Sequence, residues 1–363
     1  MILKRFLFLP LCSLLFIGMS WDIISPPGST GGFQFLTRDS ILIDVYEYYD
    51  NAGLPEGYKA RVTTPVCDDS LCYDANIILY WDLIGNFTRL QPVPGLPLTK
   101  ADHVPFEIDD YENLSRILST KKPTFVYLSK EQLVTKTGMD GITSATVASV
   151  KKDMIEGAIY TCYTLWHIAN GDIVFPMTEN TLKNLDSRQI GKMLASGNSA
   201  YHYFLVENLP KNLFGEYIPD LLKVSGQNGS YYASRIIDHI TSAQLADSLV
   251  REAVLTNYIY FDQDTRIQLI KKLSTTRLDD KTLTLLMQSL TSGQTQLNNQ
   301  IIQLTCMNVG EKAEGLLEEL LQILTDRKIV VTDSSFEALQ SVGSNNSAVN
   351  RLVLRFKRKY KRF

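Results

Sequence analysis

The feature that most constrains this chain is a change of apolar period near its middle. Val147, Val150, Met154, Ala158, Cys162, Leu165 and Ile168 recur at spacings of three or four, which predicts one buried face of a helix about twenty residues long. Beyond Glu179 the same pattern returns in pieces of 10 to 18 residues, broken by Gly, Asn and Pro. The predicted pieces are 179–196, 199–208, 215–224, 230–239, 242–256, 263–274, 279–290, 293–307, 311–325, 333–342 and 346–360. Leu283, Leu286, Met287 and Leu290 show the stripe clearly, as do Leu316, Leu317, Leu320, Leu321 and Leu324. Helices this short gain their stability by burying those faces against one another. Each consecutive pair spans roughly 30 residues, in the range of helical repeats. For 176–345 the expectation is therefore an all-α region, either a HEAT-like α-solenoid or an irregular helical domain.

Strand signals precede that change. Ile41–Tyr49 has strand composition, Tyr58–Thr64 alternates sides, and Asn76–Ile84 reads as a buried strand ending at Gly85 and Asn86. Pro92, Pro94 and Pro97 forbid regular structure for several residues after it. Asp109–Leu118 is helical, with Tyr111, Leu114, Ile117 and Leu118 on one face, and Phe125–Leu128 reads as a further strand. The expectation for 21–175 is an α+β domain. Hydrophobic residues at 45 % and charged residues at 21 % exclude a disordered or collagen-like chain.

The N-terminus has the form of a secretory signal: a cationic start at Lys4 and Arg5, then an apolar run from Phe6 to Met19. Gly18 and Ser20 supply small residues ahead of a cut before Trp21, making 1–20 a removable leader. The run is shorter than the ~20 residues that span a bilayer. An exported protein, periplasmic or envelope-associated, is expected. In an oxidising compartment Cys67 and Cys72, which flank Asp68–Leu71, are expected first to close a loop disulfide. A redox switch ranks second and a metal site third, because no further ligands stand at a recognisable spacing. Cys162 and Cys306 lie in apolar helical patterns and are expected in the core.

The net charge of −3 is a cancellation. Arg351, Arg355, Lys357, Arg358, Lys359, Lys361 and Arg362 crowd the last thirteen residues, which hold no acid, while the remaining chain stands at −10. The stretch 346–363 is accordingly set apart as a basic tail. No nucleic-acid partner is expected for an exported, otherwise acidic chain. An anionic membrane surface suits 351–363 better. A solvated helix end offsetting its own dipole, or docking on the acidic body, stands beside that expectation.

One heptapeptide carries chemistry: Asp140-Gly141-Ile142-Thr143-Ser144-Ala145-Thr146, just ahead of the predicted long helix. Small residues let the backbone approach a ligand closely, and Thr146 near a helix N-terminus would meet free amides that favour a phosphate. Asp140 could brace the turn or help hold a divalent ion during phosphoryl transfer. The same string also serves as a plain cap, with Thr143 or Ser144 capping a helix that starts near Ala145.

The pattern resembles the flavinylation motif of the FMN-binding domain family, found in the C subunit of the sodium-pumping NADH:quinone oxidoreductase and the G subunit of the Rnf complex. The resemblance runs from Leu98 to His167, and only the heptapeptide is specific. It implies that a flavin transferase links FMN through its phosphate to Thr146. Asp140, Gly141, Thr143, Ser144 and Ala145 would form the recognised turn, with Ser144 standing where the family has Gly. It further implies electron transfer between redox partner proteins of the envelope, a carrier's role rather than turnover of a small substrate.

Tyr163 and His167, four residues apart, share a helix face and are candidates for contact with the flavin ring. Tyr160 and Trp166 lie beside them. An aromatic stripe at this spacing also suits a core, and His167 also suits a helix C-terminus. Lys100, Asp102 and His103 gather a cation, a carboxylate and an imidazole in a Pro-bounded loop, but a hydrolase built there lacks a visible nucleophile. The competing expectation is a helical-repeat scaffold of the cell envelope that holds no flavin.

Overall fold

In the computed structural model, the structure describes residues 32–38, 40–66, 73–136, 144–146, 150–309, 313–344 and 347–360. The leader 1–20 lies outside the described residues, as do Cys67, Cys72, Asp140, Gly141 and Thr143. The chain divides into two compact units, Met1–Thr181 and Leu182–Phe363. No described helix is long and apolar enough to cross a membrane.

The first unit is α+β. Strands β1 (Gly32–Leu36), β2 (Leu42–Tyr49), β3 (Pro55–Thr64), β4 (Ala75–Asp82) and β5 (Phe87–Pro92) form one antiparallel sheet in sequence order. Alternation shapes β3: Tyr58, Ala60, Val62 and Thr64 are buried while Arg61 and Thr63 are exposed. Nearly every residue of β4 is buried, the pattern of a strand covered on both faces. Gly57 permits the β3–β4 approach, since a Cβ there would lie 2.0 Å from the Trp81 carbonyl oxygen. Asp82 turns the chain into β5, its carboxylate accepting from the Ile84 and Asn86 amides.

Helices α1 (Ile108–Ser119), α2 (Ile159–Asn170) and α3 (Val174–Asn184) follow, with a small hairpin of β6 (Val134–Lys136) and β7 (Ser144–Thr146). A capping box at Glu107 and Asp110 opens α1. Trp81, Leu114, Ile117, Phe125, Cys162 and Leu165 meet in the core, where the Trp81 indole donates to the Ala169 carbonyl at 2.7 Å.

Two expectations need correction here. The helix predicted from Val147 starts only at Ile159, after the β7 strand and a 3-10 turn at Lys151–Asp153. Long-range bonds override the local spacing: the Asp153 carboxylate accepts from the Thr124 amide and hydroxyl, both at 2.7 Å. Gly157 then takes a left-handed φ of +75°, which stops a helix before Ala158. Thr146 therefore sits in a strand rather than at a helix N-terminus, and no helix begins at Ala145 for Ser144 to cap. Second, Phe125–Leu128 forms consecutive turns, Val126 N–H donating to the Pro123 carbonyl and Leu128 N–H to that of Phe125. The first compact unit runs to Thr181. The Thr181 hydroxyl is bonded to the Tyr58 hydroxyl at 2.7 Å and to the Leu83 carbonyl, which ties α3 to the sheet.

The second unit is all helical. It contains α4 (Ser187–Ala195), α5 (Ser199–Asn208), α6 (Lys211–Lys223), α7 (Ser225–His239), α8 (Ser242–Leu245) and α9 (Ser248–Thr256). It continues with α10 (Gln263–Leu273), α11 (Asp280–Gln288), α12 (Thr295–Asn308), α13 (Ala313–Asp326), α14 (Asp333–Ser344) and α15 (Ser347–Tyr360). Helices α6, α9, α11, α13 and α15 pack in succession as one row, and α5, α7, α10, α12 and α14 as a second. Rungs such as α6 on α7, α11 on α12 and α14 on α15 join the rows. This two-row stack is the arrangement of an α-solenoid.

Aspartate caps punctuate the stack. Asp186, Asp247, Asp262 and Asp279 each accept a backbone N–H at a helix start. Asp186 and Asp247 split the predicted pieces 179–196 and 242–256 into two helices each. Cations close helix ends: Lys272 donates to the carbonyls of Ile237, Asp238 and Ile240, and Arg327 to those of Gln288 and Leu290. Within the basic C-terminal stretch, Ser347–Tyr360 forms helix α15. Val349, Val353 and Phe356 of α15 are buried where that helix packs on α13 and α14.

Candidate functional site

The first unit holds a cavity of about 520 Å³. Its walls come from three segments distant in sequence. The β1 strand and the turn after it bring Phe35 and Arg38. The 3-10 turn at Lys130–Leu133, with Ser129 ahead of it, brings Ser129, Lys130 and Glu131. Helix α2 brings Tyr163, Thr164 and His167.

Tyr163 and His167 fall on one face of α2, as their spacing predicted, with ring centroids 4.3 Å apart. The Tyr163 hydroxyl donates to the Leu128 carbonyl at 2.9 Å, which fixes the ring against the wall. Trp166 serves the core instead, packing edge-on against Phe125 and donating to the Thr120 carbonyl at 2.8 Å. Tyr160 is half-buried and packs against the core cluster rather than lining the cavity. Thr164 lines the cavity, and its buried hydroxyl has no hydrogen-bond partner among the described residues.

Charge gathers at the rim. Arg38 Nε lies 2.8 Å from Asp172 Oδ2, so the turn after β1 is tied to the residue two places beyond α2. That hydrogen bond and the Asp172 charge push the Arg38 guanidinium further up. The Ser129 hydroxyl donates to Glu131 and holds that carboxyl below its usual range. Aromatic and aliphatic walls with a charged rim suit a flat, polar-edged heterocycle.

The heptapeptide's end lies close to this wall along the backbone. In the β6–β7 hairpin, Val134 pairs with Thr146, Thr135 with Ala145 and Lys136 with Ser144. Strand β6 follows the 3-10 turn directly, so Thr146 is registered opposite the residue just after an element that lines the cavity.

Lys100, Asp102 and His103 do not converge. Lys100 Nζ pairs with Asp110 at 2.8 Å, while His103 stacks on Tyr73 with centroids 4.2 Å apart. Asp102 and His103 are exposed, both at positive φ. Among the described residues, no group of three or more His, Cys, Asp or Glu is placed to hold a metal ion. Cys162 and Cys306 are buried as expected, and burial pushes both thiols up to about 12. Phe35, Arg38, Thr164 and Asp172 were not anticipated from sequence, because no local motif marks them. No family model, no curated protein and no solved structure matches the chain.

Proposed function

We propose that this chain is an exported flavoprotein that carries FMN covalently on Thr146 and passes electrons between redox partner proteins of the envelope. The observation that carries the proposal is the register of β6 and β7. It holds the end of a flavinylation-like string beside the turn that lines a cavity walled by Phe35, Tyr163 and His167. The cavity's volume is in the usual range for small-molecule sites, roughly 300–1,000 Å³. The Thr164 hydroxyl would gain from a ring carbonyl or ring nitrogen the hydrogen bond it lacks among the described residues. FMN, when bound, supplies the electron chemistry. The chain's own part is to hold the ring on Phe35 and Tyr163 and to present the Arg38–Asp172 pair at the rim to its polar edge.

Co-expression with an active flavin transferase, followed by denaturing electrophoresis under ultraviolet light, tests attachment. A fluorescent band is expected, and Thr146→Ala should abolish it. The absence of a band in the parent chain, with a known acceptor labelled in the same cells, sinks the proposal. A second reading, a helical-repeat scaffold of the envelope without flavin, is favoured by the two-row stack of the second unit, an architecture suited to extended binding surfaces. That reading stands if no band forms.

A further inference from the structure

Helix α15 carries two opposed stripes. Val349, Val353 and Phe356, each no more than 6 % exposed, seat it against α13 and α14. At about 100° per residue, Arg351, Arg355 and Arg358 fall on the opposite side, and all three are exposed. Leu354, 40 % exposed, flanks that stripe. The helix contains no acidic residue. Among the described residues none of the three guanidinium groups has an ion-pair partner, the one bond there running from Arg351 Nε to the Ser347 carbonyl of the same helix. Glu318 and Asp326 of α13 border with Arg355 a groove of about 310 Å³.

We propose that this outward face docks on an anionic phospholipid surface. Charge complementarity carries the assignment: a packed helix presents an arginine stripe from a chain whose remainder stands at −10. Because the apolar stripe of α15 is already buried within its own unit, the helix binds without inserting. Attachment is peripheral, dominated by charge and weakened by salt. Exposed Leu354 adds an apolar contact at the headgroup boundary, for which a phosphodiester backbone has no counterpart. The proposal is independent of the flavin reading, since it uses no residue of the first unit.

Sedimentation of the full chain with phosphatidylserine–phosphatidylcholine vesicles, against phosphatidylcholine alone, is the test. Each arginine near an anionic leaflet contributes about fivefold to partitioning. The variant Arg351→Gln, Arg355→Gln, Arg358→Gln should therefore bind anionic vesicles on the order of 100-fold more weakly. Substituting lysine at the same three positions should retain binding. The apolar leader and the cations beyond Arg358 are common to all these chains, so the variant-to-parent ratio isolates the helix face. Unchanged melting of the variants confirms that only the surface was altered. Equal partitioning of parent and Gln variant overturns the proposal. So does tight binding of an oligonucleotide that the same variant loses, which would assign the face to nucleic acid.

Discussion

The two units are held together over different distances along the chain. In the first, side chains reach far: Arg38 meets Asp172 across 134 residues, Tyr58 meets Thr181 across 123, and Trp81 meets Ala169 across 88. In the second, bonds between helices recur near one repeat length. Arg235 meets Glu207 across 28 residues, Lys281 meets Glu252 across 29, Asn308 meets Leu278 across 30 and Asn299 meets Val330 across 31. A sheet closed by long-range contacts cannot build its core piecemeal, so the first unit should unfold as one block. A stack stabilised by neighbours can lose one pair and keep the rest. The cavity belongs to the first kind of architecture, where three unrelated segments converge.

The largest expected effect is in the sheet. Trp81→Ala removes a fully buried indole and its bond to the Ala169 carbonyl, and should destabilise the first unit by about 3–5 kcal/mol. Calorimetry should show that unit's transition falling while the helical unit's stays. A joint fall of both transitions would show a single cooperative block and dissolve the comparison. In the stack, Arg251 offers the matching experiment. It is 7 % exposed, pairs with Asp279 at 2.7 Å, and donates to the Leu245 and Ala246 carbonyls. Arg251→Met leaves those acceptors unpaired and should cost about 2 kcal/mol, less than a fully buried pair because Asp279 is half exposed. Hydrogen exchange should quicken in α8–α11 and stay unchanged in α4, α5, α14 and α15. Uniform loss of protection would contradict a stack of neighbours.

The same contrast explains what was legible in the sequence. The helical unit was largely readable, because its period is local and its punctuation is by aspartate caps such as Asp262 and Asp279. Strands β2, β3 and β4 announced themselves by composition and alternation. The segment after β7 misled, because Val150 and Ala158 are buried at helical spacing without being in a helix. What decides their conformation is Thr124, 29 residues upstream, holding Asp153. The cavity was half visible: Tyr163 and His167 share a helix face by spacing alone, whereas Phe35 and Arg38 join them only once the sheet has closed. On α15, five basic residues drew the eye and concealed the stripe of Val349, Val353 and Phe356 that binds the helix into the stack.

The smallest effect sharpens the comparison by placing a short-range bond inside the long-range unit. Asp110 accepts from the Glu107 amide at 2.9 Å and pairs with Lys100 at 2.8 Å. Burial works to raise the Asp110 carboxyl, but the Lys100 and backbone bonds outweigh it and hold it below its usual value. A depressed carboxyl stabilises the fold above its unfolded value of about 3.9 and loses that contribution as pH falls through the lower folded value. Asp110→Asn keeps a capping acceptor and removes the charge, so at pH 7 it should cost only about 0.5–1 kcal/mol. Urea midpoints of the two chains should differ at pH 7 and converge as the solution is acidified below the ordinary carboxylate range. A difference that survives acidification would mean that the neutral cap, not the charge, does the stabilising. Although the bond spans three residues, its loss should lower the transition of the whole first unit, since that unit has no part that melts alone. A loss of the same size in the stack should remain within neighbouring helices.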